Sequence, residues 1–339
     1  MPSERSEATP ASVSVADVLA RYLRVGSIFT GLIVIGIALS FASPYFLTPN
    51  NLLNILLQAS TISIIAAGFT VVLIAAEIDL SIGSLIGMTG SVAAVMIIKV
   101  GVPIPVGIAM ALGAGLLAGL FNGYATVLFK MPSFIVTLAM LGIAQGAGLL
   151  LTNGRPVSGF PEAYSVLGQG RVGPVPVPVI VAALVYLVLH LMLTRTRLGI
   201  EIYATGGGRK AAELAGIRVR RIVVTTFAIS GFCGALAGVL LSSRLDAGNG
   251  NFGANNLLDA VAAVVVGGTS LMGGVGSVLG TLGGVLIITT IRNGLVLLNV
   301  QAFWQQIAVG AIIIIAVIIN QIAKGELSLT FLLPGSRRG

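Results

Sequence analysis

The chain has 339 residues, of which 56% are hydrophobic and only 9% are charged. A water-soluble globular domain carries about 25% charged residues, so this composition excludes that class and indicates a membrane protein with many spans. The net charge of +8 does not indicate nucleic acid, because the basic residues lie in short loops and tails beside apolar runs, where they orient spans. We therefore expect contacts with membrane lipids and no nucleic-acid partner.

Apolar runs of spanning length follow one another along the chain. A helix of about 20 residues crosses the hydrocarbon layer with every backbone amide paired internally, so helices are the expected spanning elements. Residues 26–322 are predicted to form a single transmembrane domain, between an N-terminal segment 1–25 and a C-terminal tail 323–339. The predicted fold class is all-α, a polytopic membrane protein of about ten transmembrane helices at 26–43, 59–76, 82–98, 104–128, 133–151, 177–193, 223–241, 257–272, 277–291 and 303–320.

A basic segment divides the apolar sequence into two halves. Residues 194–222 contain seven of the 19 Lys and Arg residues. When the N-terminus is placed in the cytoplasm, this segment and most of the other basic residues fall on the cytoplasmic side, as the positive-inside rule requires. Both termini are therefore predicted to be cytoplasmic. The basic residues left outside are Lys99, Arg155, Arg171, Arg244 and Arg292.

The segment between the first two spans carries a helix-start signal of its own. A proline break is followed by a plausible helix start at residues 48–51, which includes Pro49. The apolar residues on one face of this helix are Leu52, Leu53, Leu56 and Leu57. This pattern predicts a short interfacial helix on the outer side of the membrane, separate from the span at 59–76.

Glycine supplies 45 residues, and many recur at four-residue spacing inside the predicted spans. Such spacing lets helix backbones approach closely, so we expect a tightly packed bundle. The groups are Gly83/Gly87, Gly115/Gly119/Gly123, Gly142/Gly146, Gly234/Gly238 and Gly276/Gly280/Gly284.

Two glycine-rich stretches, residues 82–91 and 275–284, resemble one another, and each follows a polar interruption. Paired interrupted segments in the two halves of a chain are typical of duplicated transporters, whose broken helices flank the transport path. The predicted topology runs both stretches outward, whereas an inverted repeat requires opposite directions. Either one break is misplaced or the similarity is incidental.

Two carboxylates, Glu77 and Asp79, interrupt an otherwise apolar run. An ionised carboxylate inside the membrane is costly unless it faces water or finds a partner, so such acids indicate function. In one interpretation they cap the residues from Ser81 to Gly83 as the N-terminus of a half-helix, whose positive dipole end favours an acid. In the other they lie in a solvated turn between two spans.

Further charged residues lie near the seventh and eighth spans. Arg244 and Asp246 are candidates for contacts with an external protein, although charges at a span end also simply define the membrane interface. Asp259 either caps the helix that begins there or lies on an outer vestibule. These three residues form the predicted docking set.

The basic segment contains a short helical pattern at about residues 209–215. Ala211, Leu214 and Ala215 lie at helical spacing, and Gly216 is a stop signal. A small apolar patch rimmed by charge suits docking into a groove on another protein, while a loop that only fixes topology is the alternative. The chain has no G-x-x-x-x-G-K-[ST] sequence, so we do not expect it to bind ATP through a P-loop.

Several stretches together resemble the permease subunits of ribose-, xylose- and arabinose-type ATP-binding cassette importers: residues 51–58, 77–85, 152–157, 196–219 and 258–284. The resemblance runs from about residue 45 to residue 320 and includes polar motifs in the same order. It implies a non-enzymatic permease of the bacterial inner membrane that pairs with a second permease copy and receives a monosaccharide from a periplasmic sugar-binding protein. A cytoplasmic ATPase would drive it and use the ATP, while this chain would bind no cofactor. A stand-alone secondary transporter or channel is the alternative.

The resemblance also implies roles for particular residues. The basic segment matches the coupling loop of these importers, so the residues expected to contact the ATPase are Gly206, Gly207, Ala211, Ala212, Leu214, Gly216 and Ile217. Those expected along the translocation path are Glu77, Asp79, Ser81, Gly83, Ser84, Gly267, Gly268, Thr269 and Ser270. Two positions depart from the family pattern: Gly208 replaces the usual asparagine, which weakens the expected helix cap, and Glu77 stands where glycine is commoner.

Overall fold

The computed structural model describes residues 15–323. The predicted tail 323–339 lies outside this range except for its first residue, and the predicted segment 1–25 overlaps it only from Val15. Within the range the α-helices are α1 Val15–Ala42, α2 Pro49–Ile74, α3 Ile82–Ala94, α4 Ile104–Leu128, α5 Ser133–Thr152, α6 Glu162–Gln169, α7 Val177–Arg195, α8 Arg197–Gly207, α9 Arg209–Leu214, α10 Val219–Leu245, α11 Asn256–Val266, α12 Val278–Leu297 and α13 Ala302–Ala323. A π-helical turn, Val95–Val100, continues α3.

Four two-residue strands form two small antiparallel ladders between the helices. Strand β1 (Val157–Ser158) pairs with β4 (Ala247–Gly248), with Val157 opposite Gly248. Strand β2 (Arg171–Val172) pairs with β3 (Val175–Pro176). The β1–β4 ladder fastens the loop after α5 to the end of α10, which places α6 against the same end of the bundle.

Prolines and left-handed residues set many of the helix ends. Pro103, Pro132 and Pro176 stand immediately before α4, α5 and α7, where the missing N–H of proline costs no hydrogen bond. Asn153 ends α5 with a φ of 51°, and Asp246 ends α10 with a φ of 50°. Asparagine and aspartate tolerate this conformation better than most residues with a side chain. Local chemistry therefore decides where these spans begin and stop.

Helix α10 lies at the centre of the bundle and packs against α2, α3 and α4. Helix α2 is enclosed as well, since every residue from Ala59 to Ala75 is buried. By contrast, α4, α5 and α7 expose large apolar side chains such as Leu117, Leu150 and Leu184. Lipid tails are as apolar as leucine, so these outer faces need no polar residues.

Among the described residues, seven helices are long and apolar enough to cross a membrane: Pro49–Ile74, Ile82–Val100, Ile104–Leu128, Ser133–Thr152, Val177–Arg195, Val219–Leu245 and Val278–Leu297. Three further apolar stretches are shorter: Ile28–Ala42 within α1, Asn256–Val266, and Ala302–Ile318 within α13. The all-α polytopic membrane fold is therefore confirmed, whereas the predicted count of about ten spans is not. The predicted span 257–272 differs most from the structure, because α11 ends at Val266. Its 11 residues rise only about 16 Å, roughly half the hydrocarbon thickness.

The prediction of a separate interfacial helix before the second span is wrong. Helix α2 runs without interruption from Pro49 to Ile74, so the leucines near its start belong to the same helix as the buried residues from Ala59 onward. No proline or glycine lies between Asn50 and Ala67, and a nucleated helix extends at little cost per residue. The helix therefore continues where the change in hydropathy had indicated a boundary.

The two similar glycine-rich stretches run in the same direction. Helix α3 lies parallel to α10, since the Cβ of an alanine at position 234 would lie 3.4 Å from the Ile82 carbonyl oxygen and one at position 238 would lie 3.2 Å from the Gly90 nitrogen. Helix α12 begins beside Ile74, at the end of α2, and reaches the start of α2 at Asn51, which bonds Asn293. The directions agree with the predicted topology, so these stretches do not form an inverted repeat.

The glycines at four-residue spacing divide into a packed group and an open group. A Cβ on Gly119 of α4 would lie 3.1 Å from Gly231 Cα of α10, so the two backbones are in contact. Gly142 and Gly146 of α5 have no heavy atom within 4 Å of such a Cβ. The packing prediction is therefore confirmed for the α4–α10 crossing, while Gly142 and Gly146 face open space.

We expect Gly231→Val to lower the free energy of unfolding by about 1–3 kcal/mol or more, because the added side chain pushes α4 away from α10. The measurement is the thermal midpoint of the detergent-purified protein. Gly142→Val introduces the same side chain into another span and should leave the midpoint nearly unchanged. Equal midpoints for both variants would contradict the close α4–α10 contact.

Candidate functional site

The polar interruption between α2 and α3 holds a buried carboxylate that is fully hydrogen-bonded. Asp79 is 0% exposed. Its Oδ1 accepts from the Ser81 backbone N–H at 3.0 Å and from Ser81 Oγ at 2.6 Å, and its Oδ2 accepts from Ser230 Oγ of α10 at 2.6 Å. Hydrogen bonds to an ionised acceptor are among the strongest in proteins. Asp79 therefore fixes the N-terminus of α3, as the capping interpretation required, and does not lie in a solvated turn.

Neighbouring helices hold the rest of this interruption in place. Asn122 of α4 donates to Ser81 Oγ at 2.9 Å. Ile78 donates its backbone N–H to Ser133 Oγ at 3.1 Å, and its carbonyl accepts from Thr137 Oγ1 at 3.1 Å. Backbone groups outside a helix need such partners at membrane depth. The interruption is therefore tied to α4, α5 and α10 together.

Glu77 points away from this cluster and pairs with Arg209, the first residue of α9. The Glu77 side chain is 4% exposed and the Arg209 side chain is 49% exposed. A carboxylate buried at this depth requires a counter-charge or hydrogen-bond donors. The predicted coupling helix supplies the counter-charge, so the extra charge at position 77 is neutralised from the loop.

A second interruption separates α11 from α12. After Val266 the chain turns with a φ of 80° at Gly268, and the Ser270 N–H donates to the Val275 carbonyl at 2.9 Å. Helix α12 then starts with a side-chain cap, since Ser277 Oγ accepts from the Gly280 N–H at 3.0 Å. Gly267, Thr269 and Ser270 are buried, so the first half of the segment lies inside the bundle. Leu271, Met272 and Val275 in its second half are exposed.

Helix α8 contacts both interruptions through its backbone. The Gly274 N–H donates to the Ile74 carbonyl at 2.9 Å, and a Cβ on Gly206 would lie 2.6 Å from the Gly274 nitrogen. Tyr203 Oη donates to the Gly276 carbonyl at 2.7 Å. Only a residue without a side chain fits at position 206. We call the meeting point of Ile74, Gly206 and Gly274 the backbone junction.

The predicted ATPase-contacting residues divide between an inner and an outer face of the loop. Ala212 is buried in a cluster with Val72 and Val223, and Ile217 packs beside them. Leu214 is 84% exposed, and the other exposed members of the predicted set are Gly207, Ala211 and Gly216. Helix α9 is as short as predicted.

A glycine lies near each end of α9. Gly208 precedes it without a side-chain cap, as expected from the missing asparagine. Gly216 follows it with a φ of 81°, a conformation that favours glycine. The short helix is therefore joined to α8 and α10 through two flexible positions.

The predicted translocation residues lie on the two interruptions and on the first turns of α3. Ser81 and Ser84 are buried, and a Cβ on Gly83 would lie 2.8 Å from Leu257 Cβ of α11. Gly268 is half-buried. The structure thus brings Glu77, Asp79 and the segment from Gly267 to Ser270 into the same bundle interior, around the backbone junction.

The predicted docking residues make internal contacts at the opposite end of the bundle. Arg244 is half-buried and donates to the Leu57 carbonyl at 3.3 Å. Asp246 Oδ1 accepts from the Phe160 backbone N–H at 2.9 Å. Arg244 therefore ties α2 to the end of α10, and Asp246 ties the loop before α6 to it. Contact of these residues with an external protein stays a prediction.

Helix α6 is fastened to the same end. The Phe160 and Tyr164 rings stack with centroids 4.1 Å apart, and Tyr164 Oη lies 2.8 Å from Ser242 Oγ. Burial raises the pKa of Tyr164 to about 12, so the phenol stays protonated at neutral pH. This packing gives the loop between α5 and α7 a fixed shape.

Asp259 is 0% exposed and forms an ion pair with Arg292 of α12 at 2.7 Å. Its carboxylate does not cap α11, and Arg292 lies within α12, which continues to Leu297, rather than beyond the end of a span at residue 291. In the described part of the chain, Asp259 Oδ2 and Arg292 Nε have no hydrogen-bond partner. A docking role for Asp259 stays a prediction and would require exposure that this conformation does not give.

Sequence reasoning missed the partners of the acids. Arg209, Ser230, Asn122 and Arg292 were not among the predicted site residues, although each contacts Glu77, Asp79, Ser81 or Asp259. Asn122 and Arg292 carried a usable signal, since a polar residue inside an apolar run is rarely neutral in function. Arg209 and Ser230 carried none, because their partners are distant in sequence.

These features define a multi-pass membrane protein in which a short loop helix contacts two interrupted helices. Residues 51–317 match the family described as "Branched-chain amino acid transport system / permease component", and the chain belongs to this family of transport permeases. No solved structure matches it at a significant level. The predicted resemblance to importer permeases is confirmed.

Three relatives illustrate the similarity. The chain is 41% identical over 304 residues to the ribose import permease protein RbsC of Haemophilus influenzae, covering 88% of this chain and 94% of that protein. It is 40% identical to the Bacillus subtilis protein of the same name, covering 86% and 91%. It is 35% identical over 385 residues to the xylose transport system permease protein XylH of Escherichia coli, covering 95% and 98%. All three relatives are named as permease proteins.

Proposed function

We propose that this chain is the membrane-spanning subunit of an ATP-driven importer in the bacterial inner membrane, and that its substrate is a monosaccharide such as ribose. Relatives at 35% and 41% identity are named for xylose and ribose, which supports a pentose. A periplasmic sugar-binding protein delivers the sugar, a separate ATPase hydrolyses ATP, and a second permease copy completes the pathway. The chain itself binds no cofactor and catalyses no reaction.

The observation that carries this proposal is the contact of one loop with both helix interruptions. Gly206 touches Ile74 and Gly274 at the backbone junction, while Leu214 on the same loop is exposed. A protein that binds the exposed face of α9 can therefore displace both interruptions at once. Broken helices near the bilayer midplane are where transporters bind and release substrate.

In this arrangement the α9 end of the bundle faces the cytoplasm, and both termini lie on that side. The exposed residues Gly207, Ala211, Leu214 and Gly216 contact the ATPase, while Gly206, Ala212 and Ile217 connect the loop to the bundle. The α6 end faces the periplasm, where Arg244 and Asp246 lie beside the binding protein. The basic loop supports this orientation through the positive-inside rule.

The buried charges of the bundle are less consistent with a stand-alone secondary transporter. Such a protein couples transport to an ion that binds intramembrane carboxylates. Here Glu77 pairs with Arg209, and Asp259 pairs with Arg292. An arginine beside these two carboxylates opposes the binding of a cation, and Asp79 already accepts three hydrogen bonds from Ser81 and Ser230. ATP-driven import is therefore the better interpretation.

Reconstitution tests the proposed function. The permease is placed in liposomes with its ATPase enclosed on one side and the binding protein on the other, and uptake of radiolabelled ribose and xylose is followed with and without ATP. We expect sugar uptake only when all components and ATP are present. Uptake by the permease alone, without ATPase, would contradict the proposal.

We expect Leu214→Asp to weaken ATPase binding by about 10- to 100-fold, because a buried leucine contributes about 1.5–3 kcal/mol to an interface. Its side chain is 84% exposed, so the fold of the permease should not change. The measurement is co-purification of the ATPase, followed by ATP-driven uptake. Val172→Asp alters an equally apolar exposed residue at the α6 end and should leave ATPase binding intact. Wild-type co-purification of the Leu214→Asp variant would contradict the coupling role.

A further inference from the structure

The ion pair between Glu77 and Arg209 joins two parts of the chain that are far apart in sequence. Glu77 lies on the α2–α3 interruption, whereas Arg209 opens α9. The pair between Arg197 and Glu201 in the same loop is different, because it lies within α8 and the Arg197 side chain is 91% exposed. Among the ion pairs of the described residues, the Glu77–Arg209 pair is the one that links the coupling loop to the α2–α3 interruption.

The environment of the pair makes it costly to break. The Glu77 side chain is 4% exposed, so without Arg209 its charge would remain buried without a counter-charge. Removing one partner of a buried pair is far more harmful than replacing both, because it leaves an uncompensated charge. Any motion that carries Arg209 away must therefore carry Glu77 with it or leave that carboxylate without a counter-charge.

The remaining attachments of α9 are few. Gly208 and Gly216 lie on either side of the helix. Within α9, Ala212 is the buried residue. The small apolar side chain of Ala212 fixes how deeply α9 sits against the bundle but does little to fix the orientation of the helix. Packing contacts are individually weak and not directional. The arginine therefore supplies the directional attachment at the N-terminal end of α9.

We propose that the Glu77–Arg209 pair is a strut that makes α9 and the α2–α3 interruption move as one unit. The proposal rests on the proposed ATP-driven function and deepens it by naming positioning residues. Motion imposed on the exposed face of α9 passes through Arg209 to Glu77. From there it reaches Ile78 and Asp79, whose hydrogen bonds hold α5, α10 and the start of α3.

Transport measurements test the strut in the complete importer. Glu77→Gln and Arg209→Gln should each reduce ATP-driven uptake about tenfold while ATP hydrolysis and ATPase co-purification persist, because the motor still binds but its motion is not transmitted. Arg209→Lys keeps the charge and should retain most of the uptake. The Glu77→Gln/Arg209→Gln double variant should transport no worse than either single variant, since both changes remove one interaction.

Hydrogen exchange of the isolated permease tests the strut without any partner. Arg209→Gln should speed exchange of the backbone amides in residues 75–81, although Arg209 lies far away in sequence. Arg197→Gln removes an arginine and an ion pair from the same loop and should leave residues 75–81 unchanged. This result does not depend on the substrate or on ATP, so it distinguishes failure of the strut from failure of the proposed function.

Two outcomes would overturn the proposal. Unchanged exchange in residues 75–81 of the Arg209→Gln variant would show that the pair does not hold the interruption. Faster exchange with wild-type uptake would show that the pair is structural only and transmits nothing. Absence of ATP-driven uptake by the wild-type importer, with faster exchange in the variant, would instead refute the proposed function and leave the physical link intact.

Discussion

Replacing Arg292 with glutamine is expected to lower the free energy of unfolding by about 3–5 kcal/mol, because it leaves the Asp259 carboxylate buried without a counter-charge. Asp259 is 0% exposed, and its Oδ2 already lacks a hydrogen-bond partner among the described residues. Helix α11 should therefore separate from α12 first. Thermal unfolding in detergent, with limited proteolysis to locate the opened segment, provides the measurement.

A neutral pair provides the control for this experiment. The Asp259→Asn/Arg292→Gln double variant contains no buried charge, so it should recover most of the stability lost in Arg292→Gln. Asp259→Asn alone should be milder than Arg292→Gln, because the Arg292 side chain is 23% exposed and reaches water more easily. A double variant less stable than Arg292→Gln would contradict this account of the pair.

The second large effect is expected at Asp79. Asp79→Ala leaves three donors from Ser81 and Ser230 without their acceptor, and each bond to an ionised group contributes about 1.5–3 kcal/mol. Part of this loss is offset because a buried charge also disappears, so we expect a net destabilisation of about 2–4 kcal/mol. The thermal midpoint and the protease sensitivity of the α2–α3 interruption provide the measurement.

Graded substitutions test the same site. Asp79→Asn keeps one acceptor oxygen and should fall between the wild type and Asp79→Ala. Ser230→Ala removes a single hydrogen bond and should cost about 1–3 kcal/mol. If Asp79→Ala is as stable as the wild type, the carboxylate does not hold the start of α3, and its burial would need a different explanation.

The two helix interruptions show which helix boundaries can be predicted from sequence patterns. The polar residues from Glu77 to Asp79 correctly marked the break between α2 and α3. This break could be predicted because an acid before a helix start is a local feature of the sequence. The glycine-rich segment after Val266 was recognised as polar, but its span was drawn six residues too long, to 272. Apolar composition alone does not separate a helix from a buried turn, since both lie in the same nonpolar environment.

The coupling loop was the most predictable part of the candidate site. Helix α9 occupies residues 209–214, close to the predicted 209–215, because glycines on both sides limit it. Which face of α9 points outward could not be predicted. Ala212 turned out to be the buried residue and Leu214 the exposed one, since this depends on the packing of α2 and α10 against the loop.

The sequence by itself determined the membrane class, most of the helices, the glycine spacing that allows close helix packing, and the permease family. Each of these depends on composition, short spacings or similarity along the chain. Only the tertiary structure decided that α2 is one continuous helix, that Arg292 lies within α12, and that Glu77 pairs with Arg209 while Asp259 pairs with Arg292. Ion pairs and backbone contacts join residues that are distant in sequence, and no local pattern specifies which distant residue will supply the compensating charge.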